Sequence, residues 1–124
     1  MRSITRGAVL VASVVVHLAV LYAPRVPATD VAGLPGADKV GHVVVFALVV
    51  TAALWAEIPA RIVLPVLLGH AVVSELLQHL VLAGRSGDPW DVLADVVGVA
   101  LGWVAWRLIL AVRRAGRGPS GPGR

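Results

Sequence analysis

Residues 40–56 read VGHVVVFALVVTAALWA, seventeen positions in which only His42 and Thr51 carry a polar side chain. Strands in globular proteins rarely run past about ten residues, so an apolar stretch of this length reads as helix. At a rise of 1.5 Å per residue it is about 26 Å long, close to the roughly 30 Å of a bilayer's hydrocarbon core. Nothing in it marks a polar face that could be turned to water.

The same reading extends outward in both directions. Residues 7–23 form an apolar run broken only by Ser13 and His17. Residues 62–83 form another, carrying His70, Ser74, Glu75, Gln78 and His79. Residues 90–112 hold Asp91 and Asp95 and are otherwise apolar except for Arg107. Across the 124 residues, 58% are hydrophobic and only 15% charged, against roughly 25% charged in a soluble domain. A chain this poor in polar groups cannot cover its own apolar surface, so its solvent is lipid. The expected fold is all-α, a bundle of four transmembrane helices at 7–23, 40–56, 62–83 and 90–112.

Turn chemistry separates the runs. Pro24, Pro27, Gly33, Pro35 and Gly36 fill the first connection, and Glu57, Pro59 and Arg61 the second. The third, Gly84-Arg85-Ser86-Gly87-Asp88-Pro89, reads as a tight polar loop. Pro65 sits near the start of its run, where proline is tolerated. One domain is expected over residues 1–115, followed by a disordered basic tail, GRGPSGPGR, at 116–124. An alternative for the first run is a cleaved signal peptide, with Arg2 and Arg6 as its basic end and Val26-Pro27-Ala28 as the cleavage site.

The absence of cysteine excludes disulfides, thiolate chemistry and cysteine-ligated zinc. The formal charge of +4 does not indicate nucleic-acid binding, because the arginines have no interleaved aromatic residues and gather at the two ends. Arg2 and Arg6 lie at the N-terminus; Arg107, Arg113, Arg114, Arg117 and Arg124 lie toward the C-terminus. By the positive-inside rule, both termini and the 57–61 turn are expected in the cytoplasm, and the first and third connections outside. Trp55, Trp90, Trp103, Trp106 and Tyr22 fall mostly near the predicted interfaces, as belt aromatics do.

That topology gathers the polar residues. Asp38, Lys39 and His42 stand at the outer start of the second helix, and Glu75, Gln78 and His79 at the outer end of the third. Arg85 lies in the outer loop, with Asp91 and Asp95 in the first two turns of the fourth helix. Asp38 and His42, Glu75 and His79, and Asp91 and Asp95 are each four apart, one helical turn. Asp91, Asp95, Gly98 and Gly102 form one stripe, whose glycine pair permits close helix packing. A charge at the bilayer centre costs about 2.5–3.5 kcal/mol on insertion scales, so these groups are expected to face the bundle interior.

In these residues the chain resembles the VanZ-like family of small bacterial membrane proteins. The shared pattern is Asp38-Lys39-x-x-His42, Glu75-x-x-Gln78, Gly84-Arg85-Ser86 and Asp91-x-x-x-Asp95-x-x-Gly98, in order over residues 38–102. The chain departs at Asp95, where the family pattern has asparagine, so that position's usual hydrogen bonding does not carry over. The resemblance implies a multi-pass protein of the bacterial cytoplasmic membrane. It also implies a link to glycopeptide resistance, since the founding member is associated with resistance to teicoplanin.

Several functional readings stand together. Lys39, His42, Glu75, Gln78, Arg85, Asp91 and Asp95 are the candidate binding residues, for an envelope precursor or a lipid headgroup. Arg85 and Lys39 would hold an anionic group. Glu75, His42 and Asp91 are the candidate catalytic groups of an embedded hydrolase or transferase. Ser74 and Ser86 are candidate nucleophiles without a recognisable elbow or triad. A Glu75–Arg85 ion pair of purely structural purpose is the alternative, in a protein that only accompanies others. His17 is placed to reach the cluster, while His70 reads as a satisfied core histidine. His42, Glu75, Asp91 and Asp95 are of types that ligate divalent ions, but no H-x-x-x-H or H-E-x-x-H spacing supports a metal site, and neither metal nor cofactor is expected; membrane lipid is the expected partner.

Overall fold

The computed structural model describes residues 1–23, 36–81 and 88–117. The expected cleavage site, the 84–87 loop with Arg85 and Ser86, and the tail beyond Arg117 lie outside the described residues. Four helices follow in order: α1 (Arg2–Tyr22), α2 (Ala37–Trp55), α3 (Ala60–Val81) and α4 (Pro89–Ala115). All four are long and apolar enough to cross a membrane. Most begin a few residues before the corresponding apolar run. The run marks membrane depth, whereas helical hydrogen bonding continues into the polar flanks.

Local chemistry explains the ends. At the start of α4, the Asp88 side chain accepts a hydrogen bond from the Trp90 N–H, and Pro89 occupies a first-turn position that needs no N–H. At the end of α2, Glu57 takes a left-handed conformation, φ 68°. The Glu57 N–H donates to the Leu54 carbonyl and the Ile58 N–H to the Ala53 carbonyl. This is the Schellman stop, with glutamate where glycine is usual. The side chain of Glu57 also pairs with Arg6. Helix α3 runs through Pro65. The missing N–H would have bonded the carbonyl of Arg61, in the helix's first turn.

Helix α2 is the centre of the bundle and packs on α1, α3 and α4. Its pairing with α4 is parallel: Lys39 meets Asp91, His42 meets Asp95, and Thr51 reaches the Gly102 carbonyl. Helices α1 and α3 also run parallel, with His17 on His70 and Gln78 on Leu21. The chain therefore goes up, down, up and down, and the N-terminus, the 56–59 turn and the C-terminal arginines share one end. The pairs at Asp88, Lys39 and Glu75 occupy the other.

Two contacts seat α4 on α2. A Cβ at Gly98 would stand 2.6 Å from the Val43 carbonyl oxygen, and one at Gly102 2.6 Å from that of Ala47. Only hydrogen fits there, so the two backbones touch. The buried core forms around Phe46, Val50, Leu21, Leu67, Ala71 and Val99. Outside it, residues such as Val11, Leu48, Val66, Leu101 and Leu108 are exposed on all four helices. A surface this apolar is stable only against acyl chains, which makes the chain a multi-pass membrane protein.

Candidate functional site

The first turns of α2 and α4 lie side by side and in register, because the glycine contacts hold two parallel helices at backbone distance. One helical turn within each helix, three residues from Lys39 to His42 and four from Asp91 to Asp95, therefore produces two rungs. The upper rung is Lys39, whose ammonium donates to Asp88 Oδ2 at 2.8 Å and Asp91 Oδ1 at 2.9 Å. Asp38 Oδ2 lies 3.6 Å from the same nitrogen. Asp88 is half-exposed and outside the membrane-spanning helices. The Lys39 ammonium, then the Trp90 N–H, hold its carboxyl below the ordinary value of 3.8.

The lower rung is His42 with Asp95, Nδ1 to Oδ1 at 2.8 Å, with side chains 4% and 0% exposed. The second oxygen, Asp95 Oδ2, is buried and has no hydrogen-bond partner among the described residues. The His42 ring is within electrostatic reach of Asp91 and Glu75 as well. From α3, Glu75 Oε1 accepts the backbone N–H of Asp88, while Glu75 Oε2 is buried without a partner among the described residues. Glu75 thus ties the end of α3 to the start of α4.

The structure brings Lys39, His42, Glu75, Asp91 and Asp95 together at one end of the bundle. Gln78 is buried but turned away, its amide donating to the Leu21 carbonyl at the end of α1 at 2.9 Å. Arg85 lies outside the described residues, so its pairing with Glu75 does too. His79 is exposed. Ser74 is buried and donates to the Ala71 carbonyl of its own helix. Among the described residues, no group of three or more metal-ligating side chains is placed to hold an ion.

A second polar group lies on the α1–α3 side. His17 Nε2 is 3.2 Å from His70 Nδ1, and the Tyr22 hydroxyl is 3.3 Å from His70 Nε2. His70 therefore has a partner on each ring nitrogen, as a core histidine should. The His17 ring stands edge-on to Phe46, with centroids 4.5 Å apart. Phe46 thus touches the group from the α2 side.

Sequence reasoning missed Asp88 as a member of the site. Its signal was present: an aspartate followed directly by proline at the start of an apolar run is a helix-capping pattern. The Gln78–Leu21 and His17–His70 contacts carried no such local signal.

A family model described as VanZ/LLP1 matches residues 4–110. The chain belongs to the VanZ/LLP1 family. The match takes in nearly all of α1 to α4 and every side chain of the two rungs. Comparison with curated proteins and with solved structures finds no match.

Proposed function

We propose that this VanZ/LLP1 protein lies in the bacterial cytoplasmic membrane with its polar end outward, and that the pocket there binds or acts on a cell-envelope component. The observation that carries the reading is the convergence of charge. Three helices place Lys39, Glu75, Asp91 and the buried His42–Asp95 pair at one end of a lipid-facing bundle. Ionisable groups inside a membrane are expensive and are retained where they serve a ligand, an ion or a reaction. Outward orientation follows from the arginines at the opposite end. A contribution to glycopeptide resistance, teicoplanin included, belongs to this reading through the family.

One observation favours an embedded hydrolase or transferase as the second reading. Asp95 on His42 Nδ1 is the arrangement that fixes an imidazole so that Nε2 serves as general base. In that case Asp95→Asn would keep ligand binding and lose turnover.

The test is substitution in a teicoplanin-susceptible host that expresses the chain. Glu75→Gln and Asp91→Asn should accumulate in the membrane like the wild type and abolish any gain in tolerated teicoplanin. If both variants fail to accumulate, the cluster only holds helices together, and the pocket reading is lost. The reading is equally lost if both accumulate and retain the full gain.

A further inference from the structure

We infer that the group of the envelope component held by this pocket is a primary ammonium, and that the anionic part of the same molecule stays outside. The inference rests on the pocket reading above and specifies its ligand.

The charges at the site are unequal. Asp38, Glu75, Asp88, Asp91 and Asp95 bring five carboxylates to this end of the bundle, and Lys39 one ammonium, a formal balance of −4 among the described residues. Counting Arg85 and a doubly protonated His42 as cations still leaves −2. Lys39 is already shared between Asp88 and Asp91, and Asp38 adds a third negative neighbour. An incoming phosphate or carboxylate would have to displace one of these carboxylates and face the others. A cation meets no such barrier.

A second, independent observation points the same way. Asp95 is 0% exposed, yet Oδ2 has no partner among the described residues. Glu75 Oε2 is in the same condition. Both oxygens are acceptors, and acceptors inside a bilayer call for donors. An ammonium supplies three donors and one positive charge, so it can satisfy the outer of these acceptors directly and be drawn there by the charge of the carboxylates behind it. The described side chains offer no three-ligand arrangement for a bare metal ion. Of the two free oxygens Glu75 Oε2 is the shallower, since Glu75 bonds the residue that caps α4 while Asp95 lies about two turns farther along. It is the first contact for a group arriving from the interface.

The chemistry has two sources, a lipid headgroup such as ethanolamine or an amine on a soluble envelope peptide. The detergent-solubilised full chain would be titrated calorimetrically with dihexanoyl phosphatidylethanolamine, its N-acetyl derivative, dihexanoyl phosphatidylglycerol and Nα-acetyl-lysine methylamide. An ammonium probe should bind at least about tenfold more tightly than the N-acetyl lipid, the scale of one charge-assisted hydrogen bond. Glu75→Gln, which keeps the acceptor for the Asp88 N–H, should abolish that preference while the chain elutes as a single species. Preference for the ethanolamine lipid alone assigns the ligand to a headgroup; binding of the lysine amide too assigns it to amines generally. The inference is overturned if the glycerol or N-acetyl lipid binds as tightly as the ammonium probes, or if neither ammonium probe binds. Should that happen while Glu75→Gln still abolishes the gain in teicoplanin tolerance, the pocket reading survives and only the ammonium falls.

Discussion

Replacing Gly102 by alanine adds one methyl group at the tightest contact in the bundle. That carbon would stand 2.6 Å from the Ala47 carbonyl oxygen and 2.8 Å from Val50 Cβ. Ordinary contacts between such atoms are roughly 3.5 Å, so α4 must move off α2 by on the order of 1 Å. Overpacking of this kind costs about 1–3 kcal/mol. Alanine is also the better helix former, by about 0.5–1 kcal/mol, which opposes the loss. The net expectation is a destabilisation of about 1–2 kcal/mol, roughly a tenfold shift in the ratio of folded to unfolded chain. Gly69 supplies the control, because a Cβ there meets nothing within 4 Å. Gly69→Ala should show the helix-propensity gain alone. Titration with SDS from mixed micelles, followed by circular dichroism, would place the wild type between the two variants. Gly98→Ala should resemble Gly102→Ala and also loosen the His42–Asp95 rung, since its clash is with Val43, next to His42. A Gly102→Ala chain as stable as Gly69→Ala would refute the claim that α2 and α4 meet at backbone distance.

Other outcomes follow from single contacts. Asp88→Asn keeps a capping side chain but loses the charge on Lys39, so its effect isolates the pair. Because the Asp88 carboxyl is held below 3.8, the pair's contribution is fully present above that pH and is lost as pH falls through the lower folded value. The gap between wild type and Asp88→Asn in SDS midpoint should hold from pH 7 to about 5 and close below about 4; a gap that widens on acidification contradicts the assignment. Glu57→Gly relieves a left-handed residue worth about 1–2 kcal/mol and forfeits an exposed ion pair worth less than about 1 kcal/mol. It should be neutral or stabilising in the same assay, and a marked loss would mean that the Arg6–Glu57 pair matters more than the backbone. Gln78→Leu removes the hydrogen bond to the Leu21 carbonyl and should lower stability by about 1 kcal/mol without altering ammonium-probe binding. A change in binding there would move Gln78 into the pocket.

The helices were legible because each apolar run is too long to be anything else and is bounded by turn residues. The inward face of α4 was legible from one stripe, Asp91, Asp95, Gly98 and Gly102, all four of them buried. The rungs were only half legible. Four-residue spacing put Asp38 and His42 on one face of α2, with Lys39 beside them, and Asp91 and Asp95 on one face of α4. That the two helices run parallel and in register depends on the close approach at both glycines. Lys39 bridging Asp88 and Asp91 is a contact across some fifty positions, which no local pattern encodes. The same applies to Gln78 on Leu21 and to the His17–His70–Tyr22 group. Propensity and periodicity describe one helix at a time, and these contacts belong to the packing of pairs.

The central claim is that the polar end faces outward, and cysteine labelling tests it directly. The chain has no native cysteine, so Ala37→Cys at the polar end and Gly116→Cys at the basic end each give one reactive position. Both sites are exposed in the structure. In intact cells an impermeant maleimide should label Ala37→Cys and leave Gly116→Cys unmodified until the membrane is broken. Labelling of Gly116→Cys with protection of Ala37→Cys would set Lys39, Glu75 and Asp91 against the cytoplasm, and the account of an envelope ligand would be contradicted.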